Sequence, residues 1–166
     1  MSGGLIHAWE KTLHRRRDER AVIEAASGAT CTFRELEARA DEWRAQHIRD
    51  PQALGRRAVV FALPNGIGWL AAFLALRRAG AVVVPLDAAE PPAAQRRIAE
   101  ALRAGFIWEN GMLQPLFGAR RYRDADTCLI KLTSGTTGAP RPLVFSDAQM
   151  VANGHQVTVS MGIRHH

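Results

Sequence analysis

The middle of the chain alternates short apolar runs with amphipathic stretches, a pattern that predicts strands separated by helices. Two helices are expected there, one over Ile67–Arg78 and one that Pro91-Pro92 opens and Gly105 ends. Three apolar runs predict buried strands: Arg57–Leu63, Ala81–Leu86 and Phe106–Trp108. The order predicts an α/β fold, a layered β-α-β-α-β sheet with flanking helices and right-handed crossovers.

Small hairpins and capped helices flank this unit. Strands are expected at Ala21–Ala26 and Cys31–Phe33, around a turn, and Asn110-Gly111 predicts a second hairpin turn. A first helix is expected over Leu5–Leu13. Two further helices begin at capping boxes: Thr32 with Glu35, opening a helix to about His47, and Ser146 with Gln149.

Three local signals set the remaining boundaries. Asn65 is expected to cap the helix that begins at Ile67, and Gly80 is expected to end it. Asp50-Pro51 is expected to lie in a loop, and residues 117–127 form a basic loop.

Length and composition bound the class of protein. The chain has 166 residues, 47% of them apolar, which predicts one domain with a substantial core. No apolar run reaches the roughly 20 residues of a membrane span, and the first residues lack a secretory pattern. Cys31 and Cys128 are far apart and have no metal-ligand spacing, which favours reduced thiols and a cytoplasmic protein.

The net charge of +6 raises nucleic-acid binding as one interpretation. The arginines, however, are scattered along the chain, mostly in pairs, with one triplet at Arg15-Arg16-Arg17. Scattered pairs are more typical of solvated helix faces than of a nucleic-acid footprint. A nucleic-acid partner is therefore disfavoured.

The segment Lys131–Gln149 carries the most specific chemistry. Its loop consists almost entirely of hydroxyls and glycines, and a basic residue follows it: Thr133, Ser134, Gly135, Thr136, Thr137, Gly138 and Arg141. Glycines allow backbone N–H groups to approach a ligand closely, and hydroxyls and a positive charge suit a polyphosphate. The loop is not a Walker P-loop, because no Gly-Lys-Ser/Thr opens a helix. Short apolar strands on both sides predict a long hairpin instead.

The run TSGTTGAPR resembles the phosphate-binding signature of the AMP-forming adenylating enzymes, which include acyl-CoA synthetases and nonribosomal-peptide adenylation domains. That signature usually continues Pro-Lys-Gly; here Arg141 replaces the lysine, and Pro142 replaces the glycine and removes one N–H donor. The family often has Thr-His after the second strand, where this chain has Ser146-Asp147. Two upstream runs, CTFREL from Cys31 and AGAVVVPLD from Ala79, are similar to other family segments.

The resemblance implies that the chain is part of the large N-terminal domain of an ATP-dependent carboxylate-activating ligase. Residues 1–166 would be a partial AMP-binding (adenylation) domain, without its C-terminal part and without the small C-terminal domain. The seven loop residues would hold the phosphates of ATP, with Mg²⁺ and coenzyme A implied for the parent enzyme. Its substrates would be ATP and a small fatty or aryl carboxylate, converted to acyl-AMP and then acyl-CoA. Because the family's later catalytic segments are not found here, no catalytic residue is assigned and the chain alone is expected to be inactive.

Two alternatives stay open. Gly66-Ile67-Gly68-Trp69-Leu70-Ala71 matches G-x-G-x-x-A after a predicted strand, and Asp87 follows about 20 residues on, the layout of an NAD- or FAD-binding unit. Pro64-Asn65 lengthens the turn and Trp69 lies where a pyrophosphate should approach. The other alternative is a non-catalytic basic protein that binds nucleotides or nucleic acid.

Overall fold

The computed structural model describes residues 4–124, 126–133 and 141–162. Six helices and eight strands lie in this part of the chain. The helices are α1 (Leu5–Arg16), α2 (Phe33–His47), α3 (Pro51–Leu54), α4 (Ile67–Arg78), α5 (Pro92–Ala101) and α6 (Asp147–Ser160). The strands are β1 (Arg20–Ile23), β2 (Thr30–Thr32), β3 (Ala58–Phe61), β4 (Val82–Pro85), β5 (Phe106–Glu109), β6 (Met112–Pro115), β7 (Thr127–Leu132) and β8 (Pro142–Ser146).

Six of the strands form one mixed sheet in the order β6-β5-β3-β4-β7-β8. Its four central strands are parallel to one another, and β6 and β8 form the two edges, each antiparallel to the strand beside it. The predicted β-α-β-α-β unit is therefore confirmed as β3-α4-β4-α5-β5. The predicted hairpin turn is also confirmed, because Asn110 and Gly111 adopt φ of 51° and 75° between β5 and β6, as a type I′ turn requires.

The sheet separates two cores, because α4 and α5 pack on opposite faces. Val59 and Phe61 of β3 join α4 in one cluster, whereas Ala58 and Val60 join the α5 side. This alternation follows from the two-residue period of a strand. In the sheet, β4 lies on one side of β3 and β5 lies on the other. The crossover from β3 to β4 and the crossover from β4 to β5 therefore run in opposite directions across the sheet. Because both have the same hand, their helices are expected on opposite faces.

The hairpin β1–β2 and helices α1 and α2 pack outside α4. Cys31, Leu36 and Ala40 are buried against Ile67 and Ala71 of α4. The predicted capping boxes are both present, since the Thr32 and Ser146 side chains and their partners exchange reciprocal hydrogen bonds at the starts of α2 and α6.

The end of α4 confirms the prediction at Gly80. Gly80 has φ 71°, and its N–H donates to the Arg77 carbonyl while the Ala81 N–H donates to the Leu76 carbonyl. These two bonds form a Schellman motif, which requires a left-handed residue at this position.

Three predicted boundaries are wrong. Asp50-Pro51 opens the short helix α3, because the Asp50 side chain accepts the Gln52 N–H at 2.9 Å. Helix α5 ends at Ala101 and not at Gly105, because Arg103 takes the left-handed position with φ 51°. The third boundary is the cap of α4, which the next subsection describes. Among the described residues, no helix is both long and apolar enough to cross a membrane.

Candidate functional site

The hairpin β7–β8 holds the two ends of the candidate phosphate loop together. The two strands pair antiparallel from Thr127 to Leu132. Beyond them, the Thr133 N–H donates to the Arg141 carbonyl at 3.0 Å, and the Arg141 N–H donates to Thr133 Oγ1 at 3.3 Å. Thr133 and Arg141 are therefore brought together as the closing pair of the predicted hairpin. Five other predicted site residues lie outside the described residues: Ser134, Gly135, Thr136, Thr137 and Gly138.

The closing pair lies at the carboxyl edge of the parallel strands. Strand β7 runs parallel to β4, with Val83 opposite Leu129, so the loop leaves β7 at the edge where β3, β4 and β5 also end. The chain leaves β3 toward one face and β4 toward the other, which makes this edge a switch point of the sheet. Ligands of open α/β sheets bind at such crevices.

The hairpin carries two cationic side chains near its loop, one from Lys131 and one from Arg141 of the closing pair. Lys131 pairs with Leu143, and Thr133 faces Arg141 two residues further along each strand. Because side chains alternate along a strand, Lys131 and Arg141 belong to the same face of the hairpin. Both residues are exposed, and together they place two positive charges beside the loop.

A buried ion pair fixes the other end of β8. Asp147, the first residue of α6, accepts from Arg77 Nη2 at 2.9 and 3.1 Å through its two carboxylate oxygens. Arg77 is only 7% exposed and also donates to the Ala81 carbonyl. Sequence reasoning missed this pair, although an arginine on the apolar face of α4 was the signal that could have found it.

Cys128 belongs to β7, and its side chain is buried in the core cluster on the α4 side of the sheet. Burial raises its pKa from 9.0 to about 12, so the thiol stays protonated at neutral pH. A protonated thiol is a poor nucleophile, and Cys128 is therefore a core residue rather than a covalent catalyst.

The competing glycine motif at the start of α4 is occupied by a carboxylate. Glu24 Oε1 accepts the Ile67 N–H at 2.8 Å, so Gly66 is the N-cap residue and the predicted cap at Asn65 is wrong. Gly66 has a packing role, because a Cβ there would lie 2.6 Å from Glu24 Oε1. A pyrophosphate would have to displace this negative charge from the helix N-terminus. The structure thus argues against the NAD- or FAD-binding alternative.

Asp87 was the acidic residue of that alternative. Its side chain accepts the Ala89 N–H at 2.8 Å and stabilises a turn.

Many of the arginines are neutralised locally. Several form ion pairs: Arg16–Glu19, Arg34–Asp18, Arg77–Asp147, Arg78–Glu37 and Arg96–Glu109. Arg56 instead donates to the carbonyls of Tyr122 and Arg123. These pairs leave the net charge of +6 unchanged, but they place a carboxylate beside several of the arginines that a nucleic-acid backbone would have to contact.

The described residues contain no group of three His, Cys, Asp or Glu side chains that could hold a metal ion.

A mixed sheet with helices on both faces, and with the ends of a hydroxyl- and glycine-rich segment at its carboxyl edge, defines an α/β protein of the open-sheet class. The family model of the AMP-binding enzymes matches residues 9–115, and the chain belongs to this family. The matched segment covers the β3-α4-β4-α5-β5 unit and ends before the hairpin loop.

The curated relatives are much longer than this chain. It is 27% identical over 176 residues to the hybrid PKS-NRPS synthetase mpsA of Macrophomina phaseolina, an alignment that covers 87% of this chain and 4% of the relative. It is 34% identical over 90 residues to novobiocin biosynthesis protein H of Streptomyces niveus, covering 54% of this chain and 14% of the relative. The chain thus spans a small part of each relative.

Solved structures share the fold. The N-terminal subdomain of Klebsiella oxytoca NpsA in complex with 3-hydroxybenzoyl-AMSN matches with a TM-score of 0.68 and 20% identity, over 87% of this chain and 41% of that chain. MenE of E. coli with bound OSB-AMS matches with a TM-score of 0.69 and 23% identity, over 96% of this chain and 38% of that chain.

Proposed function

We propose that this chain supplies the ATP phosphate-binding part of a carboxylate-adenylating enzyme, with residues 133–141 as the phosphate loop. The observation that carries the proposal is the closing pair Thr133–Arg141 at the carboxyl edge of the sheet. Membership of the AMP-binding enzyme family supports ATP as the substrate that the loop would hold. The adenylate analogues named with NpsA and MenE support a carboxylate as the second substrate.

In the proposed reaction, a carboxylate oxygen attacks the α-phosphorus of ATP, and the bond to the β-phosphate oxygen breaks. Pyrophosphate leaves with that electron pair, and acyl-AMP forms. A thiol, proposed to be that of coenzyme A, then loses its proton and attacks the acyl carbon, and AMP leaves. Because the reacting groups do the chemistry, the protein contributes mainly positioning and charge stabilisation.

The loop residues would each stabilise the leaving pyrophosphate. Hydroxyls are proposed as donors at Thr133, Ser134, Thr136 and Thr137, backbone N–H groups at Gly135 and Gly138, and positive charge at Arg141. Pro142 follows the loop in β8 and carries no N–H. Loss of one such donor typically costs about 3 kcal/mol of transition-state stabilisation.

Binding of pyrophosphate and a non-hydrolysable ATP analogue tests the loop directly. Arg141→Ala should weaken both by roughly ten-fold, as expected for one charged contact, and Arg141→Lys should keep most of the affinity. Arg121→Ala is the matched control, because Arg121 is also exposed but pairs with Arg57 just before β3, away from the carboxyl edge. Equal affinities of Arg141→Ala and the wild type would contradict the proposal.

Turnover tests a separate point. We expect the chain alone to show no carboxylate-dependent ATP–pyrophosphate exchange, because the adenine, ribose and carboxylate contacts implied by the family resemblance are not assigned to any of its residues. Measurable exchange would refute this inactivity while leaving the phosphate loop in place. In the parent enzyme, mass spectrometry of the thioester formed with coenzyme A would check the proposed acceptor.

A further inference from the structure

A cleft lined by three tryptophans opens at the carboxyl end of β3. Its volume is about 470 Å³, within the range of small-molecule sites. Trp43 of α2, Trp69 of α4 and Trp108 of β5 line it, together with the loop that follows β3. All three tryptophans are only half-buried, so part of each side chain remains accessible although burial would be favourable.

Ring packing holds the aromatic walls in place. Trp43 lies against Trp108 with ring centroids 5.3 Å apart. Trp69 stacks on Phe73 at 5.4 Å with an interplanar angle of 7°, and it contacts Phe61 at 5.5 Å. Because α2, α4, β3 and β5 together supply these rings, the walls are formed before any ligand arrives, which lowers the entropic cost of binding.

One carboxylate gives the cleft its electrostatic character. Glu24 Oε1 accepts the Ile67 N–H, and Oε2 accepts the Ser27 hydroxyl at 2.9 Å. These two hydrogen bonds lower the pKa of the Glu24 carboxyl, so it is ionised at neutral pH. The described residues that line the cleft include no lysine or arginine, and Arg39 acts on Glu24 only through space.

We infer that this cleft binds a small organic cation of the alkylammonium or quaternary-ammonium class. The negative faces of indole rings attract such a cation more strongly than any other side-chain ring, and Glu24 adds a full negative charge. An anion would meet the Glu24 charge, which Arg39 opposes only through space, and a neutral ligand would gain only apolar contact. The inference is independent of the proposed function, because none of these residues belongs to hairpin β7–β8 or to its loop.

Intrinsic fluorescence provides the test, since three of the four tryptophans of the chain line the cleft. Choline is titrated against its neutral isostere 3,3-dimethylbutan-1-ol at constant ionic strength. Choline should give a saturable change in emission with an affinity at least about five-fold above that of the isostere, as expected when a cation–π contact is added. Equal or tighter binding of the isostere, or no saturable response to choline, overturns the inference.

Two variants locate the effect. Glu24→Gln keeps a hydrogen-bond acceptor for the Ile67 N–H but removes the charge, and it should weaken choline binding by at least about five-fold. Glu100→Gln removes an exposed carboxylate on α5, outside the cleft, and should leave the affinity unchanged. An unchanged affinity in folded Glu24→Gln overturns the role of the carboxylate. The comparison of choline with its isostere in the wild type does not depend on how well the variant folds.

Discussion

Replacement of Asp147 by alanine should be among the most destabilising single changes near the hairpin. Asp147 accepts two hydrogen bonds from Arg77 Nη2, at 2.9 and 3.1 Å. The exposed fractions of the two side chains are 6% for Arg77 and 19% for Asp147. Truncation at Asp147 would leave a guanidinium charge enclosed in the core with no carboxylate beside it.

The expected loss is about 3 to 5 kcal/mol in the free energy of unfolding, the range for one partner removed from a buried ion pair. Hydrogen bonds to charged groups contribute roughly 1.5 to 3 kcal/mol each, which supports the same range. Arg77 Nε is buried without a hydrogen-bond partner in the described part of the chain, and the Ala81 carbonyl that Nη1 contacts carries no full charge to replace the carboxylate. A domain is stable by only about 5 to 15 kcal/mol in total, and the change is therefore large.

Urea denaturation followed by tryptophan fluorescence measures the loss in a double-mutant cycle of Asp147→Ala, Arg77→Met and both together. The double variant should be more stable than the sum of the single losses predicts, because it removes the unpaired charge and fills the space with apolar atoms. Glu19→Ala is the control, since it breaks the more exposed pair with Arg16 and should cost less than about 1 kcal/mol.

Two outcomes would refute this reasoning. A loss below about 1 kcal/mol in Asp147→Ala would mean that water or a neighbouring group replaces the carboxylate. Additive losses in the double variant would mean that the two side chains act separately, and that the geometry of the pair carries no coupling energy.

Three further predictions concern stability. Gly80→Ala should cost about 1 kcal/mol from backbone strain alone, because φ is 71° and the nearest atom to an added Cβ is 3.6 Å away; an unchanged denaturation midpoint would contradict it. Thr32→Ala should cost about 1 kcal/mol through loss of the capping box of α2, and Thr32→Ser should restore the midpoint; equal losses in both variants would exclude capping as the cause. Burial raises the pKa of the Cys128 thiol from 9.0 to about 12. The contribution of Cys128 to the free energy of unfolding should therefore be complete below pH 9 and decline between pH 9 and about 12, because the thiol ionises first in the unfolded state. Thermal unfolding of the wild type and Cys128→Ala across this pH range checks it, and parallel pH profiles would refute it.

Local signals in the sequence were sufficient for most of the architecture. The strands β3 and β4 at the centre of the sheet are short runs that are mostly Val, and both capping boxes depend on residues only three positions apart. Asn110-Gly111 specifies its turn because both residues tolerate positive φ. The ends of hairpin β7–β8 were predictable because apolar runs on both sides of the loop indicate its two strands, and Thr133 and Arg141 follow directly from the pairing of those strands.

The contacts that sequence reasoning missed join distant parts of the chain. The Glu24 carboxylate reaches Ile67 across 43 positions, and Arg77 reaches Asp147 across 70. No local sequence pattern predicts which carboxylate will accept a hydrogen bond from which distant N–H group. Asn65 was therefore the best local prediction for the cap of α4, and it was wrong because Glu24 accepts the Ile67 N–H. The tryptophan cleft could not be predicted locally either, because its three tryptophans come from three separate elements, α2, α4 and β5.

The two cores on opposite faces of the sheet have a consequence for how the protein tolerates substitution. Val59 and Val60 are adjacent in sequence, yet their side chains belong to separate clusters and share no packing partner in them. Energetic effects usually add at sites that share no partner and lie more than about 7 to 10 Å apart, so a filled cavity against α5 is expected not to compensate for one against α4. Substitutions on the α5 face should therefore leave the contribution of Arg77 and Asp147 unchanged, the ion pair that ties hairpin β7–β8 to α4.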